Sequence, residues 1–327
     1  MFFLLGKELL YTFDHLKIIL LRKHFTSTTF MAIIACLLWS TAFFSIKIGL
    51  PYTSPLNFAG VRFLLSGLVI IPFCGGIKKY VTTVRKNIVP LLKISLFQTF
   101  LLYSLFYLGL KLVPASITAI VMGGGPLFIA IMSHMAFHDD KMNIRKMLSI
   151  SLGIVGIVII AASKYKLSWV EGKEFWGILI LIAANISGGY GNIMVAKYRE
   201  KGSALIFNSA QLAIGGLAIL LISLPIESSV KNNYTWEYFV ILGWLTFVSS
   251  VGFSIWFILL QRPKVKVSEV NIWKFLVPLF GAILSWIIVP TESPELIPII
   301  GMVTIALSLV VLNYNNMKKV ASKLKKK

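Results

Sequence analysis

SITAIVMGGGPLFIAIMSHMAFHDD, residues 116–140, returns in outline 152 positions later as SEVNIWKFLVPLFGAILSWIIVPTE, residues 268–292. Eight of the 25 aligned positions are identical: Ser116 with Ser268, Ile120 with Ile272, Pro126-Leu127-Phe128 with Pro278-Leu279-Phe280, Ala130 with Ala282, Ile131 with Ile283, and Ser133 with Ser285. Each copy ends on an acid, Asp140 and Glu292. Apolar composition alone yields a few matches, but not a shared proline triplet, two shared serines and a matching terminal acid. The chain reads as a duplicated unit, and duplication has to be found before any other fold assignment. In a membrane chain, two related halves build one site between them, which points at transport.

Working outward, 57% of the 327 residues are hydrophobic and 13% charged, too little polar surface for a water-soluble domain of this length. Ten apolar segments are long enough for a membrane core, near 30–49, 57–77, 88–110, 114–136, 147–163, 175–196, 203–224, 236–260, 267–289 and 296–314. A helix satisfies its backbone groups within itself, so each is expected to be a transmembrane helix. The expected fold is an all-α membrane protein of ten transmembrane helices in two inverted five-helix repeats. The first repeat takes residues 30–163, a connecting loop 164–174, the second repeat 175–314, and a basic cytoplasmic tail 315–327. An odd number of spans per half turns the second half upside down. Residues 1–29 are either an interfacial amphipathic helix or spurious upstream sequence, since charges interrupt them too often for a signal peptide.

The net charge of +20 raises nucleic acid as a partner, but its distribution argues otherwise. Lys and Arg alternate loop by loop. Lys78, Lys79, Arg85 and Lys86, then Lys141, Arg145 and Lys146, then Lys197, Arg199 and Lys201, then Arg262, Lys264 and Lys266 fall on one side, together with six Lys after residue 317. Lys111, Lys164, Lys166, Lys173 and Lys231 fall on the other. That is the positive-inside pattern of a multi-pass protein of the plasma or inner cell membrane with both termini cytoplasmic. Cys36 and Cys74 allow no metal-thiolate spacing and read as small buried hydrophobes.

Ten spans in two halves, with small-residue segments running into a central proline and closing at an acid, resemble the EamA family of the drug/metabolite transporter superfamily. The carriers of the resemblance are Trp39-Ser40 with Lys47 in the first span, Arg62 early in the second, and the two proline segments closing at Asp140 and Glu292. One departure is Asp139-Asp140, where the family has Glu. The resemblance covers roughly residues 30–314 and implies efflux of small metabolites such as amino acids from a cavity between the halves.

Ionisable and polar groups at membrane depth are costly and mark candidate sites. Lys274, one turn before Pro278, has Met122 as its counterpart in the repeat and is expected either to meet an anionic group or to pair with Glu269. Trp39, Gln98, Tyr103, Asn185, Tyr190, Asn192, Trp244, Asn271 and Lys274 form the expected substrate pocket, with Thr99, Gln211, Ser254 and Trp273 as further polar or aromatic candidates. Gly125, Pro126 and Pro278 are expected at gating bends. Lys47 and Arg62 are expected at the outer rim. Lys93, near the end of the third span, is expected to reach the interface.

His134 and Asp139 have an H-x4-D spacing used by some acyltransferases, but any helix end with a His and an acid shows it. An enzyme is not expected, and neither a cofactor nor a metal is called for. A lipid-linked sugar flippase stays open as an alternative. Expected partners are a small-molecule solute and membrane lipids, with a monomer as the working unit.

Overall fold

The computed structural model of the chain describes residues 27–113, 115–164, 173–228, 232–263, 265–288 and 296–324. Among these, regular structure is helical throughout. The helices are α1 Thr28–Gly49, α2 Pro55–Ile70, α3 Ile77–Lys86, α4 Ile88–Ile94, α5 Leu102–Leu110, α6 Ala115–Gly123, α7 Gly125–Ala136, α8 Ile144–Lys164, α9 Lys173–Lys197, α10 Ala204–Ile226, α11 Trp236–Gln261, α12 Val267–Ile272, α13 Leu276–Ile288 and α14 Leu296–Leu324. The stretch before Ser27, the connection 165–172, Glu292 and Lys47, whose side chain is not placed, lie outside the described residues.

Among the described residues, five helical stretches are long and apolar enough to cross a membrane: Pro55–Cys74, Ile88–Leu110, Lys173–Lys197, Ala204–Ile226 and Trp236–Gln261. Shorter apolar helices lie at Thr28–Ala42, Ile120–Ala136 and Leu296–Leu312. The chain is an integral, multi-pass membrane protein. Its surface agrees with that: Phe73, Trp176, Ile287 and Leu296 are among many large apolar side chains left exposed, which lipid tolerates and water does not.

Two departures from the expected layout have local causes, and a third feature, the broken proline spans, falls where the prolines stand. Residues 77–86 are a helix rather than a loop. Gly75 and Gly76, with φ of 81° and 103°, turn the chain out of the second span through a region closed to most side chains. α3 then lays Tyr80 and Val84 on the bundle and leaves Lys78, Lys79, Arg85 and Lys86 exposed. The basic tail continues as helix to Leu324, since 313–324 contain neither Gly nor Pro. Both proline spans are interrupted, between α6 and α7 and again between α12 and α13.

Glycines let helices from distant parts of the chain meet backbone to backbone. A methyl group at Gly60 would lie 2.6 Å from Leu220 N, at Gly67 2.4 Å from Ala213 N, and at Gly216 2.3 Å from Leu64 N. α2 therefore lies directly along α10, antiparallel to it. α8 and α14 cross the same way: a methyl group at Gly156 would lie 2.7 Å from the Gly301 carbonyl oxygen, and one at Gly301 2.8 Å from that of Gly156. Small residues are how membrane helices gain contact where no hydrophobic effect drives them together. α1 packs along α11, and α9 along α5 and α7.

Two buried carboxylates tie these helices at opposite ends of the bundle. α2 starts without a side-chain cap of its own, and Glu227, at the end of α10, accepts the Leu56 and Asn57 N–H groups at 3.1 and 2.9 Å. α12 also lacks its own cap. There Asp140, 2% exposed, accepts the Ser268 N–H at 2.9 Å and the Ser268 hydroxyl. Asp140 further accepts Ser133 Oγ at 2.6 Å and Lys146 Nζ at 2.5 Å. A carboxylate at free helix N–H groups answers both the orphan donors and the helix dipole. Burial works against the charge on Asp140, but the bonds from Lys146, Ser133 and Ser268 win and hold its carboxyl below the usual carboxylate range.

Two outcomes follow. Gly216→Ala should lower the melting midpoint of detergent-purified protein, corresponding to about 1–3 kcal/mol of overpacking, while Gly243→Ala, with nothing within 4 Å, should not. Asp140→Ala strands the buried Lys146 ammonium and should cost about 3 kcal/mol, part of it recovered by adding Lys146→Met. Since the native carboxyl is depressed, its stabilisation is complete above the ordinary value of about 3.9 and is lost as pH falls through the native value. Midpoints should lose this contribution only below about pH 4, and a loss already at neutral pH would contradict the clamp.

Candidate functional site

Trp39, in the middle of α1, is the meeting point. Its ring lies 4.9 Å from Trp256 and 5.3 Å from Phe253, both on α11. The ring fits because residue 252 is glycine: a methyl group there would come within 2.8 Å of the indole nitrogen. That buried nitrogen has no acceptor in the structure. Phe253 touches Phe63 of α2 at 6.3 Å, and Phe63 stacks with Tyr103 of α5 at 4.3 Å. The result is a continuous aromatic wall contributed by α1, α2, α5 and α11.

Lys274 stands at one end of this wall. A single 3₁₀ turn, Trp273–Phe275, separates α12 from α13 and carries the lysine to the ring faces. Its Nζ sits 4.9 Å from the Trp256 centroid and 5.8 Å from that of Trp39. The turn is held to α1 by the Cys36 thiol, which donates to the Trp273 carbonyl at 3.3 Å. Glu269 is not the partner of Lys274; it pairs with Lys266 at 3.7 Å on the surface. One turn back, Asn271 donates to the Val267 carbonyl at 2.9 Å, and its buried Oδ1 has no partner.

Behind the wall run two chains of buried amides. Trp256 Nε1 donates to Asn192 Oδ1 at 2.8 Å, and Asn192 Nδ2 donates to Gln98 Oε1 at 3.2 Å and to the Gly188 carbonyl at 2.7 Å. In the second chain Thr99 donates to Gln211 at 2.5 Å, Gln211 to Asn208 at 3.0 Å, and Asn208 to Ser254 at 3.0 Å. Gln98 and Thr99 reach different helices because neighbouring residues point about 100° apart around a helix axis; the span here is in π geometry over Ser95–Leu101, a form often found at functional sites. Ser187 of α9 donates to the Phe97 carbonyl at 2.7 Å within that stretch.

Arg62 is not on a rim. It is 4% exposed, its Nε donates to Ser249 of α11 at 2.7 Å, and its guanidinium lies 4.9 Å from the Phe63 ring centre. The expectation considered depth along α2 but not direction around it, and this face of α2 looks inward onto α11. Tyr190 and Trp244 do not join the cluster; each is 42% exposed. Tyr190 shares the outward stripe of Ala183 and Ile186 on α9 and meets Phe97 at 4.7 Å. Trp244 meets Phe247 at 5.6 Å and donates to Thr41 at 3.2 Å. Lys93 is exposed, as an interfacial lysine would be.

Asn185 serves the break rather than the wall. At Gly124 the helix ends and Pro126 restarts it without an N–H to give back. Asn185 Nδ2 donates to the Val121 carbonyl at 2.6 Å, one of the acceptors such a break releases. Its Oδ1 lies 2.8 Å from where a methyl group on Gly125 would stand, so only glycine admits the amide.

The H-x4-D pair is not assembled. His134 is exposed and its Nδ1 accepts the Met142 N–H at 3.0 Å, while Asp139 lies exposed beside it. What the sequence reading missed is Trp256, Asn208, Glu227, Ser249 and the ring pair Phe63 and Phe253. Glu227 had one visible signal, an acid just past an apolar span; the others look like ordinary span residues.

Comparison with known proteins agrees with this architecture. The EamA-like transporter family model matches twice, over residues 26–162 and 175–314. The chain is 24% identical over 293 residues to an uncharacterized transporter of Bacillus subtilis, YvbV, covering 88% of this chain and 92% of that protein. It is 26% identical over 265 residues to a protein of Salmonella typhimurium named "Probable amino-acid metabolite efflux pump", covering 77% and 83%. A solved crystal structure superposes with a TM-score of 0.77 at 17% identity, covering 90% of this chain and 98% of the other, which is a likeness of fold. The chain belongs to the EamA-like transporter family.

Proposed function

We propose that the chain is a secondary transporter that exports small metabolites such as amino acids by alternating access between two inverted five-helix halves. The observation that carries this reading is Lys274. It is an ammonium set against two tryptophan rings where α1 meets α11 and α12, and it has no carboxylate partner among the described residues. Packing that repeats when the halves are exchanged supports the inverted arrangement. α1 with α11 answers to α9 with α5, α1 with α13 to α9 with α7, and the pairs α2 with α10 and α8 with α14 map onto themselves. The alternation of Lys and Arg supports cytoplasmic termini, and the relative named for amino-acid metabolite efflux supports the solute class.

In this cycle Trp39, Tyr103, Asn271 and Lys274 face the solute, Gln98 and Asn192 brace the wall from behind, and the breaks at Gly125-Pro126 and before Pro278 bend between states. The end of the bundle closed by Asp140 is the cytoplasmic gate, and one chain contains the whole seam, so a monomer suffices.

Purified protein in liposomes loaded with unlabelled amino acids should accumulate the labelled species by exchange. No movement of amino acids, nucleosides or dyes, together with turnover of an acyl or phosphoryl donor, would overturn the carrier reading. Asn185→Ala, which removes the side-chain donor from the Val121 carbonyl and leaves it only the Gly124 N–H, should lower the maximal rate about tenfold, as expected for one buried hydrogen bond, and leave KM nearly unchanged. A raised KM at full rate would put Asn185 in the pocket instead.

A further inference from the structure

Arg62 and Lys274 are two buried or part-buried cations on one aromatic wall, and neither has an anion. Among the described residues, ion pairs join only Lys146 to Asp140 and Lys266 to Glu269. The acids that approach the seam spend their oxygens elsewhere: Glu227 on the start of α2, Asp140 on the start of α12. Arg62 makes one hydrogen bond, through Nε, which leaves both terminal nitrogens of a nearly inaccessible guanidinium without an acceptor among the described residues.

α11 measures the gap between them. Arg62 bonds Ser249 and Lys274 lies over Trp256, seven residues further along the same helix. Seven residues are close to two turns, so both positions share one face and lie about 10 Å apart. Phe253 fills that face between them and contacts both Trp39 and Phe63. Trp39 adds an unpartnered N–H donor at the Lys274 end. Two positive poles, donors without acceptors and an apolar floor make a receptor for a molecule with the opposite pattern. Burying like charges without a counter-ion is among the most costly arrangements a protein holds, and a ligand that supplies both anions removes the cost on binding.

We infer that the solute is an organic dianion, a dicarboxylate of four or five carbons, with one carboxylate at Arg62 and the other at Lys274. This rests on the carrier reading above and narrows it: a dicarboxylate answers both poles, and an acidic amino acid answers them too while its ammonium stays toward the open side of the seam, whereas a neutral amino acid, with one carboxylate, leaves one cation unanswered. A planar guanidinium suits two-pronged carboxylate contact, and the ammonium with the Trp39 N–H completes the second pole.

Direct binding in detergent separates this from transport. Labelled glutamate and succinate should bind the purified protein at least about tenfold more tightly than butyrate or leucine, one lost charge-assisted contact accounting for such a factor. Arg62→Gln and Lys274→Met should each erase that preference, bringing dicarboxylate affinity down about tenfold to that of a monocarboxylate. Arg62→Lys and Lys274→Arg keep the charge and should retain dicarboxylate binding, which covers the case where a neutral variant fails to fold. Leucine bound as tightly as glutamate, or a dicarboxylate preference unaltered in Lys274→Met, would overturn the inference even if liposomes show transport. Absence of transport with dicarboxylate binding intact would count against the carrier reading alone.

Discussion

Hydrocarbon offers no partner to a hydrogen-bonding group, so a polar atom inside this bundle has to be answered by another part of the chain or by what the chain binds. Most are answered from far away in sequence. Asp140 caps α12, Glu227 caps α2, Asn185 takes a carbonyl at the proline break, and Asn192 bonds Gln98, Thr99 bonds Gln211 and Asn208 bonds Ser254 between helices. The helices are thus assembled by their exceptions. Leu and Ile make them soluble in lipid, but the few polar residues decide which helix lies beside which.

Much of this was legible because duplication is a pattern in the sequence itself. The paired Pro126 and Pro278 marked the two interrupted spans, and the structure breaks both within a few residues of those prolines. Asp140 stood out through its match with Glu292 and Ser268 through its match with Ser116, although nothing paired the two with each other, since a cap supplied by another span leaves no local signal. Rotation about a helix axis was the weak point. Tyr190 and Trp244 read as pocket residues because an aromatic ring with a polar tip suits both an interior and a lipid face. Arg62 read as a rim residue for the converse reason: depth follows from counting residues along the span, while direction depends on a neighbour almost 190 positions away.

The cluster at Trp39 combines two kinds of constraint. Glycine at 252, 191 and 125 is required by the neighbour, because a methyl group would collide with Trp39, Gln98 or Asn185. The side chains that occupy those spaces are in turn fixed by bonds to the next helix, apart from the Trp39 nitrogen and the charged ends of Arg62 and Lys274. In the proposed carrier those free groups are the ones a solute meets, and the rest of the network gives it a wall that does not rearrange.

The glycine crossings have a mechanical consequence. Residues 60, 67 and 216 on one side, and 156 with 301 on the other, put main chain against main chain with no side chain between. Each crossing joins a helix of the early sequence to one of the late sequence, so neither half is at liberty to travel as a separate block. The displacement such contacts permit is a swivel about the crossing itself, because sliding would drive a carbonyl into an α-carbon. The two crossings therefore behave as axles, and both interrupted spans lie beside one of them, Gly123 against Ile157 and Phe275 against Gly153 of α8, so a turn at that axle is passed directly to both breaks.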